Sequence, residues 1–205
     1  MSSTKDNNNL VEEYKFCGHT LTITMFRGAS LGLSAYVWGP APVLCQYFHD
    51  QKIDFTGKKV LELGSGTGLV GILAALLGGY VTLTDVPETL KQIEYNVDAN
   101  IPATSKHRSN VRALYWGTDH HDYPSDFDFI LGSDIVYSPS QFPSLVETLL
   151  HCCNENTTVL FSTNMPARMG AQDFHEQVIP RSFNSKLVYT NGVISIYKMS
   201  KKSAR

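Results

Sequence analysis

The sequence predicts an α/β fold whose sheet has seven strands, mostly parallel, with helices on both faces and a reversed last strand. From Lys58 onward, short β-branched runs alternate with segments of helical spacing, which is typical of a largely parallel sheet. Near the end, two strand-like runs flank Asn191-Gly192, a pair that favours a tight hairpin turn. Because a hairpin reverses the chain, the last strand must run antiparallel to its partner.

Each element has its own local signal. Gly78 and Gly79 end the first core helix, and Pro87 suits the first turn of the second. The strands are predicted at 58–63, 80–84, 111–116, 127–132, 157–163, 187–190 and 193–199, and the helices at 69–77, 87–100, 140–153 and 173–179.

A shorter region precedes this core. Residues 14–57 are predicted to form a small hairpin about Gly18 and a helix from roughly 35 to 48. The polar ends, 1–13 and 200–205, are predicted to be disordered tails. Residues 58–199 then form the core of a single domain spanning 1–205, the size expected of one ordinary globular unit.

Composition excludes several classes of protein. The 17 Lys and Arg against 19 Asp and Glu give a net charge of −2, whereas a protein that binds nucleic acid along its length is typically basic. No apolar run reaches the roughly 20 residues of a membrane span, and the polar start resembles no targeting peptide. We therefore expect a cytoplasmic monomer without membrane contact, a cytoskeletal or centrosomal pool remaining open.

The most informative segment is the glycine loop after the first core strand, Glu62-Leu-Gly64-Ser-Gly66-Thr-Gly68. Glycine lets bare backbone approach a ligand at the start of a helix. The third glycine comes one residue too early for a dinucleotide fingerprint, which leaves an NAD enzyme a weak alternative. Asp85 ends the next strand, where a carboxylate can accept hydrogen bonds from both hydroxyls of a ribose. The alternative is that the glycines only make a tight strand-to-helix connection.

These motifs resemble those of class I, seven-β-strand S-adenosylmethionine-dependent methyltransferases. VWGPAPVL, KKVLELGSGTGLVGILAALLGG, VTLTDVP, ALYWG and LGSDIVY, in this order, resemble the methyltransferase-like protein-lysine methyltransferases. FCGHTLTIT and WGTDHH are similar to the branch acting on eukaryotic elongation factor 1A. The resemblance implies a Rossmann-like fold, S-adenosyl-L-methionine as cofactor, and a protein substrate, elongation factor 1A, as partner.

The resemblance also assigns residues. Gly64, Ser65 and Gly66 would line the methionine and ribose, and Trp116 the adenine. The full cofactor-binding set that it implies is Trp38, Glu62, Gly64, Ser65, Gly66, Gly68, Asp85, Trp116 and Ser133. Two positions depart from the family pattern: Gly39 stands where an aspartate commonly follows Trp38, and Ser133 stands where alanine is usual.

Asp134 and Tyr137, in the segment DIVY, are the candidate catalytic residues. Enzymes that methylate nucleobase amines carry prolines where this chain has Ile135 and Val136, so an aliphatic amine fits better than a flat base. A free lysine has a pKa near 10.4, so about one in a thousand is neutral near pH 7.4. Asp134 could attract the ammonium group and orient the amine, while Tyr137 could add a hydrogen bond or an aromatic wall.

Other interpretations stay open. The chain could methylate a small-molecule amine or nucleic acid, or it could be a non-catalytic cofactor-binding scaffold. His120 and His121 invite a metal site, but adjacent side chains diverge and no third ligand is evident, so no metal is predicted. Five aspartates between Gly117 and Tyr137 are explained by a solvated loop or by an acidic rim that steers a lysine.

Overall fold

The computed structural model describes residues 9–27, 31–166 and 170–203. Within them the chain forms two sheets with helices around the larger one. The strands are β1 (Leu10–Phe16), β2 (His19–Met25), β3 (Lys59–Leu63), β4 (Tyr80–Asp85), β5 (Ser109–Ala113), β6 (Phe129–Ser133), β7 (Thr158–Asn164), β8 (Phe183–Thr190) and β9 (Ile194–Lys201). The helices are α1 (Pro40–Asp50), α2 (Leu69–Leu76), α3 (Leu90–Asn100), α4 (Phe142–Cys152) and the short α5 (Ala171–Asp173).

The larger sheet has seven strands in the order β5-β4-β3-β6-β7-β9-β8. Strands β5, β4, β3, β6 and β7 pair in parallel, and β9 pairs antiparallel with both β7 and β8. The prediction of a mostly parallel sheet with a reversed last strand is confirmed. The C-terminal hairpin, β8 and β9, does not extend the sheet in chain order, because β9 lies between β7 and β8 and leaves β8 at the edge.

Two apolar layers cover the faces of the sheet. One layer joins α1, α2 and α3 to side chains such as Val60, Leu83 and Leu131. The other joins α4 and the 171–181 segment to Leu61, Ile130 and their neighbours. Consecutive residues Val60 and Leu61 thus face opposite layers, and both are fully buried, as expected for a central strand covered on both sides.

Several boundaries differ from the sequence prediction. The third core strand, predicted at 111–116, is β5 at Ser109–Ala113, because the chain turns after Leu114 through Gly117 at φ +74°. The N-terminal helix begins at Pro40, since 32–35 form a separate 3₁₀ turn. The helix predicted at 173–179 is instead α5 followed by a π-helical stretch, Phe174–Val178.

The predicted tails were wrong at their inner ends. Residues 10–13 belong to β1, which pairs along its whole length with β2, and 200–201 belong to β9. The rest of each predicted tail includes residues outside the described part of the chain, 1–8 and 204–205. Within the described ranges, no helix has the length and apolar character that crossing a membrane requires.

The N-terminal hairpin, formed by β1 and β2, packs on α3 through a row of amide side chains. Thr22, Thr24 and Phe26 donate their backbone N–H groups to Asn100, Asn96 and Gln92 over 2.7, 2.9 and 2.7 Å. Asn96 and Asn100 donate back to the carbonyls of Thr24 and Thr22. The three amides are spaced four residues apart and share one helix face, so α3 satisfies the outer edge of β2 as a neighbouring strand would.

Candidate active site

A cavity of about 370 Å³ opens at the carboxyl ends of β3, β4 and β6. From β3 the chain continues to β4 and β5 on one side of the sheet and then to β6 and β7 on the other. The cavity lies at this reversal of strand order, which is the usual ligand site of an open α/β fold. Its volume is within the range of small-molecule sites. The lining includes these predicted site residues: Trp38, Glu62, Gly64, Ser65, Gly66, Asp85, Trp116, Ser133, Asp134 and Tyr137.

The glycine loop forms the floor of this cavity. Gly64 and Gly66 have φ angles of +62° and +57°, which favour glycine. A Cβ added at Gly64 would lie 2.7 Å from Ile135 Cγ2, so a side chain there would fill the cradle. Gly68, also predicted to bind the cofactor, lies outside the lining. It begins α2 at φ +84°, and an added Cβ would meet Ile72 and Leu83 in the core.

Asp85 fixes the glycine loop from the end of β4. Its Oδ2 accepts a 2.8 Å hydrogen bond from Gly66 N–H, and its Oδ1 accepts one of 2.8 Å from Val86 N–H. Burial raises the pKa of this carboxyl, and the two N–H donors act in the opposite direction. A carboxylate accepts at about four positions, and the N–H groups of Gly66 and Val86 and the Thr89 side chain use three of them. The group can therefore still accept from a ligand hydroxyl that enters the cavity.

Glu62 lies beneath the loop with 1% of its surface exposed. Burial raises the pKa of its carboxyl to about 8. Oε2 lacks a hydrogen-bond partner within the structure, and a Cβ at Gly71 would approach it to 2.4 Å. Glycine at 71 therefore leaves room for a buried carboxyl against α2. Glu62 also contributes to the lining of the cavity.

The raised pKa of Glu62 predicts a specific pH dependence of stability. Between its ordinary pKa of 4.5 and about 8, the folded chain keeps the proton and the unfolded chain releases it. Folding stability from this group therefore falls as pH rises through that window. We expect Glu62→Gln to gain stability relative to wild type by about 1.4 kcal/mol per pH unit there.

Urea unfolding of both proteins at several pH values checks this prediction. Only the difference between them is used, because other buried groups, such as His175 whose pKa is lowered to about 3 by burial, act equally in both. Glu94→Gln, on the exposed face of α3, shows what a surface carboxylate contributes. A wild-type-minus-variant difference that stays flat across the window would contradict a buried proton on Glu62.

Two tryptophans line the cavity together with the glycine loop. Trp116 follows β5, and its Cζ2 lies 3.4 Å from where a Gly64 Cβ would be. Trp38 comes from the segment before α1 and donates its indole N–H to the Leu33 carbonyl over 2.8 Å. Gly39, the departure from the family pattern, begins α1. An added Cβ there would only touch Ile194 at 3.4 Å, so lack of space does not explain the missing aspartate.

Asp134 lies at the end of β6, buried to 6% exposure, and adopts φ +57°. Its backbone N–H donates to Ser162 O over 2.8 Å, and its Oδ1 accepts from Asn164 N–H at 3.3 Å. Strand β7 thus holds this carboxylate at the edge of the cavity. Tyr137 lines the same cavity with its ring partly exposed, and Ser133 precedes Asp134 in the lining.

The cavity suits S-adenosylmethionine. The space left by the missing side chains of Gly64 and Gly66, the buried acceptor Asp85 and the two tryptophans can hold a nucleoside. When bound, this cofactor supplies an electrophilic methyl carbon on a positively charged sulfur. Asp134 and the glycine loop line this same cavity, so a methyl acceptor held by Asp134 would lie close to a cofactor on the loop.

Three residues of the cavity wall were not predicted from the sequence. Leu33, Tyr36 and Tyr115 line the cavity yet expose 45–50% of their surface, so they form an apolar and aromatic rim around its mouth with Trp38 and Tyr137. Tyr115 could have been found, because it directly precedes Trp116 after β5. Leu33 and Tyr36 carry no local signal, since they reach the site only through the fold of the N-terminal segment.

The interpretation that the five aspartates form an acidic rim of the cavity is wrong for two of them. Asp126 and Asp128 pair with Lys59 and Lys58, at the amino end of β3, the edge of the sheet opposite the cavity. Asp119 accepts from Tyr115 N–H over 3.0 Å and shapes the turn after β5. Of the five aspartates, Asp134 is the one that lines the cavity.

Comparisons with known proteins agree with this geometry. A family model described as lysine methyltransferase matches residues 15–178. The chain is 48% identical over 190 residues to EEF1A lysine methyltransferase 3 of Xenopus tropicalis, covering 92% of this chain and 84% of that one. It is 47% identical to the Mus musculus protein of the same name, covering 88% and 77%.

Solved structures show the same fold. The 16S rRNA N2 G1207 methyltransferase of T. thermophilus, in complex with AdoMet and guanosine, superposes with a TM-score of 0.67 at 16% identity. The match covers 95% of this chain and 51% of that one. The residues that the family model matches, 15–178, include the glycine loop, both tryptophans and Asp134. The chain therefore belongs to the lysine methyltransferase family, whose members are S-adenosylmethionine-dependent protein-lysine methyltransferases.

Proposed function

We propose that this chain methylates a lysine ε-amine of folded elongation factor 1A, using S-adenosyl-L-methionine. The observation that carries the proposal is the placement of a buried acidic residue, Asp134, in the same cavity as the glycine loop, below an exposed aromatic rim. The names of the two relatives nearly half identical to this chain supply the identity of the substrate.

The rim suits a lysine on a folded protein. Trp38, Tyr115 and Tyr137 each expose more than a third of their surface around the mouth. Aromatic faces attract a cationic ammonium group and contact its aliphatic stem, which favours entry of a single extended side chain. Exposed aromatic groups also supply apolar contact area for the surface of a protein partner.

The reaction requires the neutral amine. At pH 7.4 the protonated form of a free lysine is favoured by roughly 4 kcal/mol, so the site must offset that difference. Ile135, which is buried next to Asp134 and lines the cavity, provides an apolar contact that disfavours the charged form. Asp134 attracts the ammonium group into the cavity and then accepts a hydrogen bond from the neutral amine. Tyr137 limits the orientation of that amine. The proton leaves to solvent before the amine attacks the methyl carbon.

Incubating the purified chain with elongation factor 1A and cofactor labelled in the methyl group tests the proposal. We expect label on the protein, and mass spectrometry should place it on one lysine. Replacing that lysine with arginine should abolish the signal, whereas replacing a neighbouring surface lysine should not. Labelled RNA or small-molecule product in place of labelled protein would overturn the assignment, as would cofactor binding without any turnover.

A further inference from the structure

A cluster of three histidines lies outside the catalytic cavity. His120 and His121 form a 3₁₀ turn after β5, and His151 lies in the last turn of α4. One ring nitrogen from each lies within 4.8 Å of the others. The ring centroids of His120 and His121 are 4.1 Å apart, so the two adjacent side chains converge. The expectation that they diverge was wrong. His151 is a third histidine at this place, which was not evident from the sequence.

The histidines differ in what already holds them. His120 is 2% exposed, and its Nδ1 has no hydrogen-bond partner within the structure. A buried ring nitrogen without a partner is costly unless something else binds it. His151 Nε2 lies 2.8 Å from the carbonyl oxygen of Tyr123. Because a carbonyl only accepts, Nε2 must carry the proton, which leaves the lone pair of the neutral ring on Nδ1.

We propose that His120, His121 and His151 bind one divalent transition-metal ion of the zinc type. Imidazole nitrogen is a preferred ligand of Zn²⁺, and three histidines with one open position are a known coordination set for it. The bond from His151 to the Tyr123 carbonyl is the kind of second interaction that orients a metal-binding ring.

Small side-chain movements complete the coordination sphere. Zinc–nitrogen bonds of about 2.1 Å in a tetrahedron place the ligand nitrogens about 3.4 Å apart, so the rings must close by roughly an ångström. His121 is exposed and free to make most of that movement. Glu147 stands one helical turn before His151, with Oε1 3.9 Å from His120 Nε2, the nitrogen that carries the proton when Nδ1 binds the ion.

The ion would join two elements of the cavity wall. His120 and His121 follow Trp116 and Thr118, which line the cavity, and α4 carries Ser144, which also lines it. The present link between these elements includes the 2.9 Å hydrogen bond from Gly117 N–H to Thr148 Oγ1. A metal ion would add a stronger link and hold the turn that carries Trp116 against α4.

Titration of the full chain, without a polyhistidine tag, with Co²⁺ and then Zn²⁺ tests the site. We expect one Co²⁺ per chain with the visible absorption of a tetrahedral centre, its displacement by Zn²⁺, and a raised melting temperature with Zn²⁺. His121→Ala, at an exposed position, and His151→Gln, which keeps a donor for the Tyr123 carbonyl, should each weaken binding at least about tenfold.

The matched control removes two exposed histidines elsewhere, His49→Ala with His107→Ala, and should bind Co²⁺ as wild type does. Circular dichroism verifies that each variant is folded. Failure of the wild-type chain to bind a stoichiometric ion would overturn the proposal, and so would unchanged binding in folded His121→Ala. Because the readouts are metal binding and melting temperature, neither result depends on the methyltransferase activity.

Discussion

Replacing Asp134 with asparagine is expected to lower kcat of protein methylation by at least about 100-fold and to leave cofactor affinity nearly unchanged. The amide has the shape of the carboxylate but no negative charge, so it neither attracts the ammonium group nor orients the neutral amine as strongly. Asparagine is the right substitution because the residue adopts φ +57°, a conformation that asparagine tolerates and that would strain alanine.

Steady-state kinetics with labelled cofactor measures the loss, and calorimetry measures cofactor binding. Asp126→Asn is the matched control, because this exposed aspartate pairs with Lys59 at the opposite edge of the sheet. Its activity should equal that of wild type. If Asp134→Asn kept full activity, the carboxylate would have no part in the reaction. If it lost cofactor binding as well, its role would be structural.

Replacing Asp85 with asparagine is expected to weaken binding of S-adenosylmethionine roughly 100-fold. Both carboxylate oxygens already accept a backbone N–H, from Gly66 and Val86. An asparagine can accept with only one atom, so its NH₂ group must face one of those donors. The variant therefore loses the charged acceptor for the ribose hydroxyls and also displaces the glycine loop.

Calorimetric titration with the cofactor, or with its demethylated product, measures this loss. Asp98→Asn provides the control, since Asp98 is an exposed residue of α3 that pairs with Lys106. A melting curve without ligand separates a displaced loop from an unfolded chain. Binding within a few-fold of wild type would show that Asp85 does not hold the ribose.

Local patterns predicted the core of the fold and most of the cavity. Alternating runs gave the strands, and because parallel strands end at one edge, Glu62, Asp85 and Asp134 were expected together and line one cavity. Contacts between distant segments could not be read in this way. The insertion of β9 between β7 and β8, and the meeting of His151 with a turn 30 residues earlier, depend on how whole elements pack.

Gly68 shows the limit of motif reasoning in a single residue. It belongs to the glycine motif, yet its positive φ serves the entry into α2 and its missing Cβ leaves room for core side chains. The motif therefore combines two physical requirements, approach of a ligand at Gly64 and Gly66 and tight packing at Gly68. A pattern of letters does not separate them.

The three amides that hold the N-terminal hairpin fix the number of residues between Gln92 and Asn100 in α3. Four residues of helix rise about 6 Å and two residues of strand advance about 6.6 Å, so Gln92, Asn96 and Asn100 meet every second residue of β2 almost in step. One residue inserted between Gln92 and Asn100 would rotate the amides after it by about 100° and break the correspondence. Insertions and deletions, ordinarily tolerated near a protein surface, should therefore be excluded from this stretch of the gene.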